Sequence, residues 1–224
     1  MLTLRNLILE MIAKGADLKA TIDRLCLEIE AFGDDLVCSV LTVDTDGFLH
    51  PLSAPSLAED FSMALEGLMI GPDIGSCGSA AYWRKPVIVT DIASDPRWTQ
   101  FREGALAQGL RACWSMPIFD EAEDVIGTFA LYYREARSPT DAERAMVDVC
   151  THLCSIALER HGRVLERERR ANIDMLTGLA NRASFTTALS HLPCADPGTW
   201  ALLVVDLDNL KVIINEMIWT LKVT

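Results

Sequence analysis

Two segments of the chain have the alternating pattern and the turn residues of β-hairpins. In residues 36–52 apolar side chains alternate with others on both sides of Asp46-Gly47, a dipeptide typical of tight hairpin turns. Residues 112–133 repeat the arrangement around the acidic turn 120–124. A hairpin joins antiparallel strands, so these segments, with a further strand predicted at 86–91, require an antiparallel sheet. We predict five strands in all.

Helical periodicity flanks the predicted sheet. Apolar residues recur at helical spacing between Leu4 and Phe32, with Gly15 dividing the run into two helices. Near the other end, Ser138-Pro139-Thr140-Asp141 has the residues of a helix start, and a helix is expected from Asp141 to Asn172. The predicted fold is α+β, an antiparallel sheet sandwiched by helices and followed by a long connector helix.

The domain organisation follows from a change in composition along the last predicted helix. Its apolar stripe thins after residue 158 while charged residues accumulate, as in a helix that leaves a domain. We therefore expect an N-terminal helix (1–15), a domain (16–158), a helical connector (159–173) and a further segment (174–224).

The overall charge excludes some classes of partner. The formal net charge is −12 and the pI is near 4.7, which opposes binding to nucleic acid. No stretch has the roughly 20 apolar residues of a membrane span, and Arg5, Glu10 and Lys14 interrupt the start before a signal peptide can form. Seven cysteines without a CxxC pair are typical of reduced core thiols. A cytoplasmic protein that binds neither nucleic acid nor membrane is expected.

An ordered set of short motifs resembles the GAF domains of bacterial sensor proteins. The motifs are Ile70-Gly71-Pro72, Gly75-Ser76-Cys77-Gly78-Ser79-Ala80-Ala81, Pro86-Val87-Ile88-Val89-Thr90-Asp91-Ile92, Asp95-Pro96-Arg97-Trp98 and Ser115-Met116-Pro117-Ile118. With the hairpins the resemblance covers about residues 16–158. It implies a GAF fold in which loops over one sheet face enclose a small-molecule pocket or form a dimer surface, without naming the ligand.

Five residues are candidates for such a pocket. Trp83, Trp98, Trp114, Cys77 and Ser115 fall in segments that line the pocket in the family, which suits an apolar or aromatic ligand. The alternative is that the tryptophans fill a core. The glycines between residues 71 and 78 lack the Lys and Ser/Thr of a phosphate-binding loop, and we expect them to form a loop that walls the pocket.

Cys77 also supports a different hypothesis. Gly-Ser-Cys-Gly-Ser-Ala resembles the surroundings of a cysteine in GAF-fold free-methionine-sulfoxide reductases, which attack the sulfoxide with a thiolate. That family needs further cysteines in specified places, and Cys113 does not obviously occupy one. A buried structural role for Cys77 is the favoured interpretation, and the reductase remains the alternative.

The last 51 residues resemble a second family. Asp174-Met175-Leu176-Thr177-Gly178-Leu179-Ala180-Asn181-Arg182 is similar to the opening of GGDEF diguanylate cyclase domains, and the apolar strand 200–205 runs into Asp206, which resembles that family's first Mg²⁺ ligand. Ile214 stands where the family has a guanine-contacting Asn, and the Gly-Gly-[Asp/Glu]-Glu-Phe turn is missing.

The two resemblances together predict a signalling role. They imply the GAF input module of a diguanylate cyclase, an enzyme that converts two GTP to cyclic di-GMP with Mg²⁺ in complete relatives. Here the cyclase part is expected to be a truncated, inactive α/β fragment that requires no cofactor. A parallel homodimer through the connector helix is also expected, and family logic supports it. Its seam would follow alternating four- and three-residue steps and is apolar only in its first half: Cys154, Leu158, His161, Leu165, Glu168 and Asn172.

Overall fold

A computed structural model describes residues 1–33, 35–174, 176–192 and 203, and these form an antiparallel sheet with helices on both faces. The strands are β1 (Leu36–Val43), β2 (Phe48–Ser53), β3 (Leu68–Met69), β4 (Val87–Val89), β5 (Ala112–Phe119) and β6 (Val125–Tyr133). The helices are α1 (Leu2–Lys14), α2 (Leu18–Glu30), α3 (Glu59–Met63), α4 (Gly75–Trp83), α5 (Arg102–Ala107), α6 (Asp141–Asn172) and α7 (Arg182–Ser190), with a 3-10 turn at Pro96–Trp98. The predicted α+β class and the long C-terminal helix are confirmed.

The sheet has the strand order β3-β2-β1-β6-β5-β4, with every neighbouring pair antiparallel. Both predicted hairpins are present, β1–β2 and β5–β6, and they meet along β1 and β6. The chain divides into two compact units, Met1–Arg169 and Arg170–Thr224, and the first contains the whole sheet.

Alternation along the central strand separates two hydrophobic cores. In β6, Phe129, Leu131 and Tyr133 face a core shared with α1, α2 and α6. Ala130 and Tyr132 face the opposite core, which contains residues of α4 and α5. Successive side chains of a strand point to opposite faces, so this one strand contacts both layers of helices.

The two N-terminal helices form as the sequence predicts, for identifiable local reasons. Gly15 ends α1 in the left-handed conformation (φ 76°), which glycine adopts without a Cβ clash. Asp17 then starts α2, where its Oδ2 accepts a hydrogen bond from the Ala20 N–H at 3.0 Å. Ile8 and Ile12 of α1 are buried in the core that the sheet shares with α1, α2 and α6, which we call the helix-side core.

The glycine-rich stretch differs from the predicted loop. Residues from Gly75 to Trp83 form helix α4, and all of them up to Ala81 are buried. A Cβ at position 78 would lie 2.7 Å from the Ile74 side chain, so the glycine permits the chain to turn closely into the helix. Packing against the sheet therefore overrides the low helix propensity of glycine. The described residues also include a sixth, two-residue strand, β3, that the sequence pattern did not indicate.

Some sequence predictions fall on residues that the structure leaves undescribed. The apolar strand at 200–205, apart from Leu203, and Asp206 lie outside the described residues. Within the described parts of the chain, none of the helices combines the length and apolarity needed to cross a membrane.

Two glycines differ in how much room a side chain would have, which gives a matched test of packing. At Gly127 of β6 a Cβ would lie 2.5 Å from the backbone oxygen of Leu41, whereas at Gly162 of α6 it would meet no described atom within 4 Å. We expect Gly127→Ala to lower the free energy of unfolding by about 1–3 kcal/mol. Gly162→Ala should raise it by roughly 0.5–1 kcal/mol through helix propensity. Urea denaturation measures both, and equal stability of the two variants would contradict the expected close approach of β6 and β1.

Candidate functional site

A small, partly open cavity lies in the first unit, in the core between the sheet and α4. Its volume is about 10 Å³. Phe61 and Leu65 form its roof, and the amino end of α4 with the preceding Ile74 forms one wall. Trp98 and Phe101 form a second wall, and Tyr132 of β6 supplies the floor. The cavity is therefore almost entirely apolar and aromatic, with a few polar atoms at one side.

Trp98 is held in place by specific contacts. Asp95 begins the 3-10 turn that carries it, accepting a hydrogen bond from the Arg97 N–H at 2.9 Å. The indole Nε1 donates to Ser76 Oγ at 3.1 Å, and the ring meets Tyr132 edge-to-face with centroids 6.3 Å apart. These contacts join the 3-10 turn, α4 and β6 around the cavity. The edge-to-face arrangement of the two rings is one that aromatic pairs favour.

Tyr132 and Cys77 are the ionisable groups of the cavity in the described part of the chain, and both are neutral near pH 7. Burial raises the pKa of Cys77, opposed by the hydroxyls of Ser115, Thr128 and Tyr132. Burial likewise raises the pKa of Tyr132, whose hydroxyl shares a hydrogen bond with Ser39 Oγ at 3.3 Å. The hydroxyls of Ser115 and Thr128 have no hydrogen-bond partner of good geometry among the described residues.

The geometry does not favour nucleophilic chemistry at Cys77. Reactive cysteines have lowered pKa values and some exposure, whereas Cys77 is 4% exposed and its pKa is raised. Cys113, on the same sheet face, is also a buried free thiol whose pKa burial raises. The arrangement is typical of structural thiols.

The five candidate residues do not all come together. Trp98 and Cys77 line the cavity, and Ser115 lies beside Cys77 on the same core face. Trp114 faces the helix-side core instead, with the Arg144 guanidinium 5.6 Å from its ring centroid. Since Trp114 and Ser115 are neighbours in β5, they must point to opposite faces. Trp83 is 51% exposed near the end of α4 and lies outside the cavity.

Other lining residues were missing from the sequence-based set. Phe61, Phe101, Ser76 and Tyr132 line the cavity. Strand alternation could have indicated Tyr132, because it shares a face with Thr128 and Ala130. Nothing local indicates Phe61, which reaches the cavity through the tertiary fold. Among the described residues no cluster of three or more His, Cys, Asp or Glu side chains could hold a metal ion.

Comparisons with known proteins agree with the fold. The model of the GAF domain family matches residues 15–159. This chain belongs to the GAF domain family. The resemblance of the motifs between residues 70 and 118 to GAF domains is thereby confirmed, and the matched residues include all six described strands.

Individual relatives agree with that assignment. A methyl sulfide methyltransferase-associated sensor of Methanosarcina acetivorans is 35% identical over 156 residues, which are 69% of this chain and 16% of the relative. The chain thus spans a small part of that curated protein. The GAF domain of a phosphoenolpyruvate-protein phosphotransferase from Coxiella burnetii has the same fold, with TM-score 0.58, 15% identity and coverage of 75% of this chain and 95% of that one. A free methionine-R-sulfoxide reductase from Neisseria meningitidis, solved with its substrate, matches with TM-score 0.50, 18% identity and coverage of 70% and 83%.

The roof of the cavity in this GAF domain is tied to the β1–β2 hairpin. Glu66, next to the roof residue Leu65, pairs with His50 Nδ1 at 2.7 Å, and Asp44 pairs with His50 Nε2 at 3.1 Å. The Gly67 N–H donates to the Leu49 backbone oxygen at 2.9 Å. His50 therefore bridges the turn of the hairpin and the segment that closes the cavity.

The two carboxylates change the acid–base behaviour of this bridge. Hydrogen bonds that the Glu66 and Asp44 carboxylates accept raise the pKa of His50 above its ordinary value of 6.5. Backbone donation from Phe48, with the His50 contact, lowers the pKa of Asp44. The bridge thus favours a protonated imidazole between two ionised carboxylates.

The pKa of His50 predicts a pH-dependent contribution to stability. A raised folded-state pKa stabilises the fold fully below the unfolded value, and the contribution is lost as pH rises through the folded value. We expect His50→Gln to destabilise the protein more at about pH 5.5 than at about pH 8.5, since Gln keeps a hydrogen-bond donor but carries no charge. Urea denaturation at both pH values measures the difference. His152→Gln, which replaces an exposed histidine of α6 outside this bridge, is the control for the substitution itself.

Proposed function

We propose that this GAF domain is the sensory input module of a signalling protein and passes the state of its cavity to helix α6. The observation that carries the proposal is the position of β6. Its Tyr132 forms the cavity floor, while the adjacent Tyr133 packs in the core shared with α6. A change at the floor displaces the neighbouring residue on the other face, because both belong to one rigid strand.

A series of contacts extends from Tyr133 to the first turn of α6. The Arg137 guanidinium lies 3.8 Å from the Tyr133 ring centroid, over its face. Arg137 also pairs with Glu143 at 2.7 Å, and Glu143 accepts the Thr140 N–H at 2.6 Å at the start of the helix. Arginine pairing lowers the pKa of Glu143, so the carboxylate stays ionised. The start of α6 is thus connected to the strand that floors the cavity.

The proposed coupling predicts how two matched substitutions differ. Tyr132→Phe and Ser76→Ala each remove one hydroxyl from the cavity, but only Tyr132 belongs to β6. We expect Tyr132→Phe to raise amide hydrogen exchange a few-fold, roughly 2- to 5-fold, in residues 141–150. Ser76→Ala should change exchange in α4 and around the 3-10 turn only. Mass spectrometry of exchanged peptides measures both.

Two results would count against coupling through β6. One is unchanged exchange in residues 141–150 of Tyr132→Phe. The other is an equal change in Ser76→Ala, which would indicate general destabilisation of the domain rather than transmission along the strand.

We further propose a homodimer through the exposed part of α6. Two residues of the expected seam lie against the domain: Cys154 is buried in its core, and His161 lines a small pocket with Ile12 and Leu18. Leu165 is 51% exposed, and residues 167–172 of the helix are exposed as well. An exposed leucine on a charged helix supports pairing there, with weak affinity because the rest of the surface is polar.

This proposal predicts that one face of the helix controls association. Leu165→Lys should shift the monomer–dimer equilibrium toward monomer by about 10-fold or more in Kd, because it places like charges opposite each other at the seam. Arg167→Gln is a matched control, since residue 167 lies about 200° around the helix from residue 165. Sedimentation velocity across a range of protein concentrations measures the shift. A chain that stays monomeric at every concentration would contradict the dimer.

For the output, we propose that residues 174–182 open a GGDEF-type cyclase domain. Their described part has a well-defined local structure, in which Asp174 Oδ1 accepts hydrogen bonds from the Thr177 N–H at 3.0 Å and the Thr177 hydroxyl at 2.9 Å. Gly178 has a φ of 70°, and Asn181 caps α7 by accepting the Ser184 N–H at 3.0 Å. The motif residues therefore shape the turn between two helices.

In that proposal, Mg²⁺ and GTP are bound by the complete cyclase domain. The 224 residues contain no Gly-Gly-[Asp/Glu]-Glu-Phe turn, and Asp206 is the one residue that resembles a family metal ligand. The reductase alternative has less support, since the buried Cys77 with its raised pKa lacks the character of an attacking thiolate.

A further inference from the structure

The charge of the cavity lining restricts what it can bind. In the described part of the chain no Asp, Glu, Lys, Arg or His side chain lines it. Cys77 and Tyr132 are neutral near pH 7 because burial raises both pKa values. A charged ligand would have to give up its hydration with no counter-charge in return, which is strongly unfavourable.

One wall nevertheless favours an electronegative atom. Helix α4 begins at Gly75, and Gly75, Ser76 and Cys77 all line the cavity. The first N–H groups of a helix lack intrahelical partners and carry a partial positive charge. Ser76 Oγ accepts the Trp98 indole N–H, and the same hydroxyl also interacts with Cys113. A carbonyl or hydroxyl oxygen on a neutral ligand suits this wall.

The size of the cavity sets a second limit. Its volume of about 10 Å³ approaches the space that one water molecule needs. A ring-sized ligand can enter only if the roof moves. Helix α3 in the roof is five residues long and has no buried residue, and Phe61 rests against Gly104, where a Cβ would lie 3.2 Å from the phenyl ring. The roof is therefore the part of the cavity that can open at least cost.

We infer that the cavity takes an uncharged, ring-sized molecule with a hydrogen-bond acceptor, admitted when Phe61 and Leu65 move outward. The aromatic rings of Trp98, Phe101 and Tyr132 contact the faces and edges of the ligand. The backbone N–H groups at the amino end of α4 donate hydrogen bonds to its acceptor atom. The inference rests on the proposed sensory function and adds the ligand class. It excludes nucleotides and zwitterionic amino acids from this site.

Single-ring compounds test the charge and the acceptor separately, with toluene matched in size to phenol and benzoate matched to acetophenone. Phenol and acetophenone are neutral and carry an oxygen, toluene is neutral without one, and benzoate and phenyl phosphate are anions. Phenol and acetophenone should raise the melting temperature by roughly 2–5 °C at about ten times their Kd. Toluene should bind about 10-fold more weakly or worse, and the anions should give no shift. Isothermal titration calorimetry supplies the Kd values.

The roof is tested by a matched pair from α3. Phe61→Ala removes a roof side chain and should admit the two-ring compound 2-naphthol at least about 10-fold more tightly than the unaltered chain does. Met63→Ala, at a 49% exposed position of the same helix, should leave the 2-naphthol affinity unchanged. Leu65→Ala, the second roof variant, should also bind 2-naphthol more tightly than the unaltered chain does. It replaces Phe61→Ala in the test if that variant does not fold.

Two outcomes overturn the inference. One is stabilisation by benzoate or phenyl phosphate that equals or exceeds that by phenol. The other is the absence of any shift with phenol and acetophenone at concentrations near their solubility. Either result leaves the sensory proposal standing if Tyr132→Phe still changes hydrogen exchange in residues 141–150, because that measurement uses no ligand.

Discussion

The structure depends on one strand that is buried on both faces. β6 pairs with β1 along one side and with β5 along the other, and from Gly127 to Tyr133 its residues are buried. Gly127 permits the close approach to β1, since a larger residue would meet the Leu41 backbone. Both helix layers pack against this strand, so the cavity on one face and α6 on the other share a single support. A sensory domain needs such an element if its pocket is to affect a distant helix.

The two faces of the sheet differ in chemistry. The helix-side core is aliphatic and aromatic and contains the buried cysteines of α2, β1 and α6. The opposite face carries buried hydroxyls, among them those of Ser39, Ser115 and Thr128. Buried hydroxyls without good partners are unfavourable in an apolar core. Two such hydroxyls, those of Ser115 and Thr128, lie beside Cys77 on the cavity face.

The sequence predicted much of the fold because local patterns encode it. Alternation and turn residues gave both hairpins, and capping residues gave the start of α6 at Asp141 and the break at Gly15. Sequence reasoning missed the helical state of residues 75–83, because glycine content is a weak guide when a segment is buried. It also grouped Trp114 with Ser115, although strand alternation alone separates adjacent residues onto opposite faces. Two of the five candidate pocket residues, Trp98 and Cys77, line the cavity.

The sequence by itself determined the fold class, the ordered GAF motifs and the long charged helix, since each depends on residues close together in the chain. Only the tertiary structure decided the cavity, because its roof, walls and floor come from segments that lie far apart in sequence, such as Phe61, Trp98 and Tyr132. It also decided that Cys154 belongs to the domain core and that Leu165 stays exposed, although both lie on one helix. Helical periodicity shows which residues share a face, and the packing partners determine which part of that face is covered.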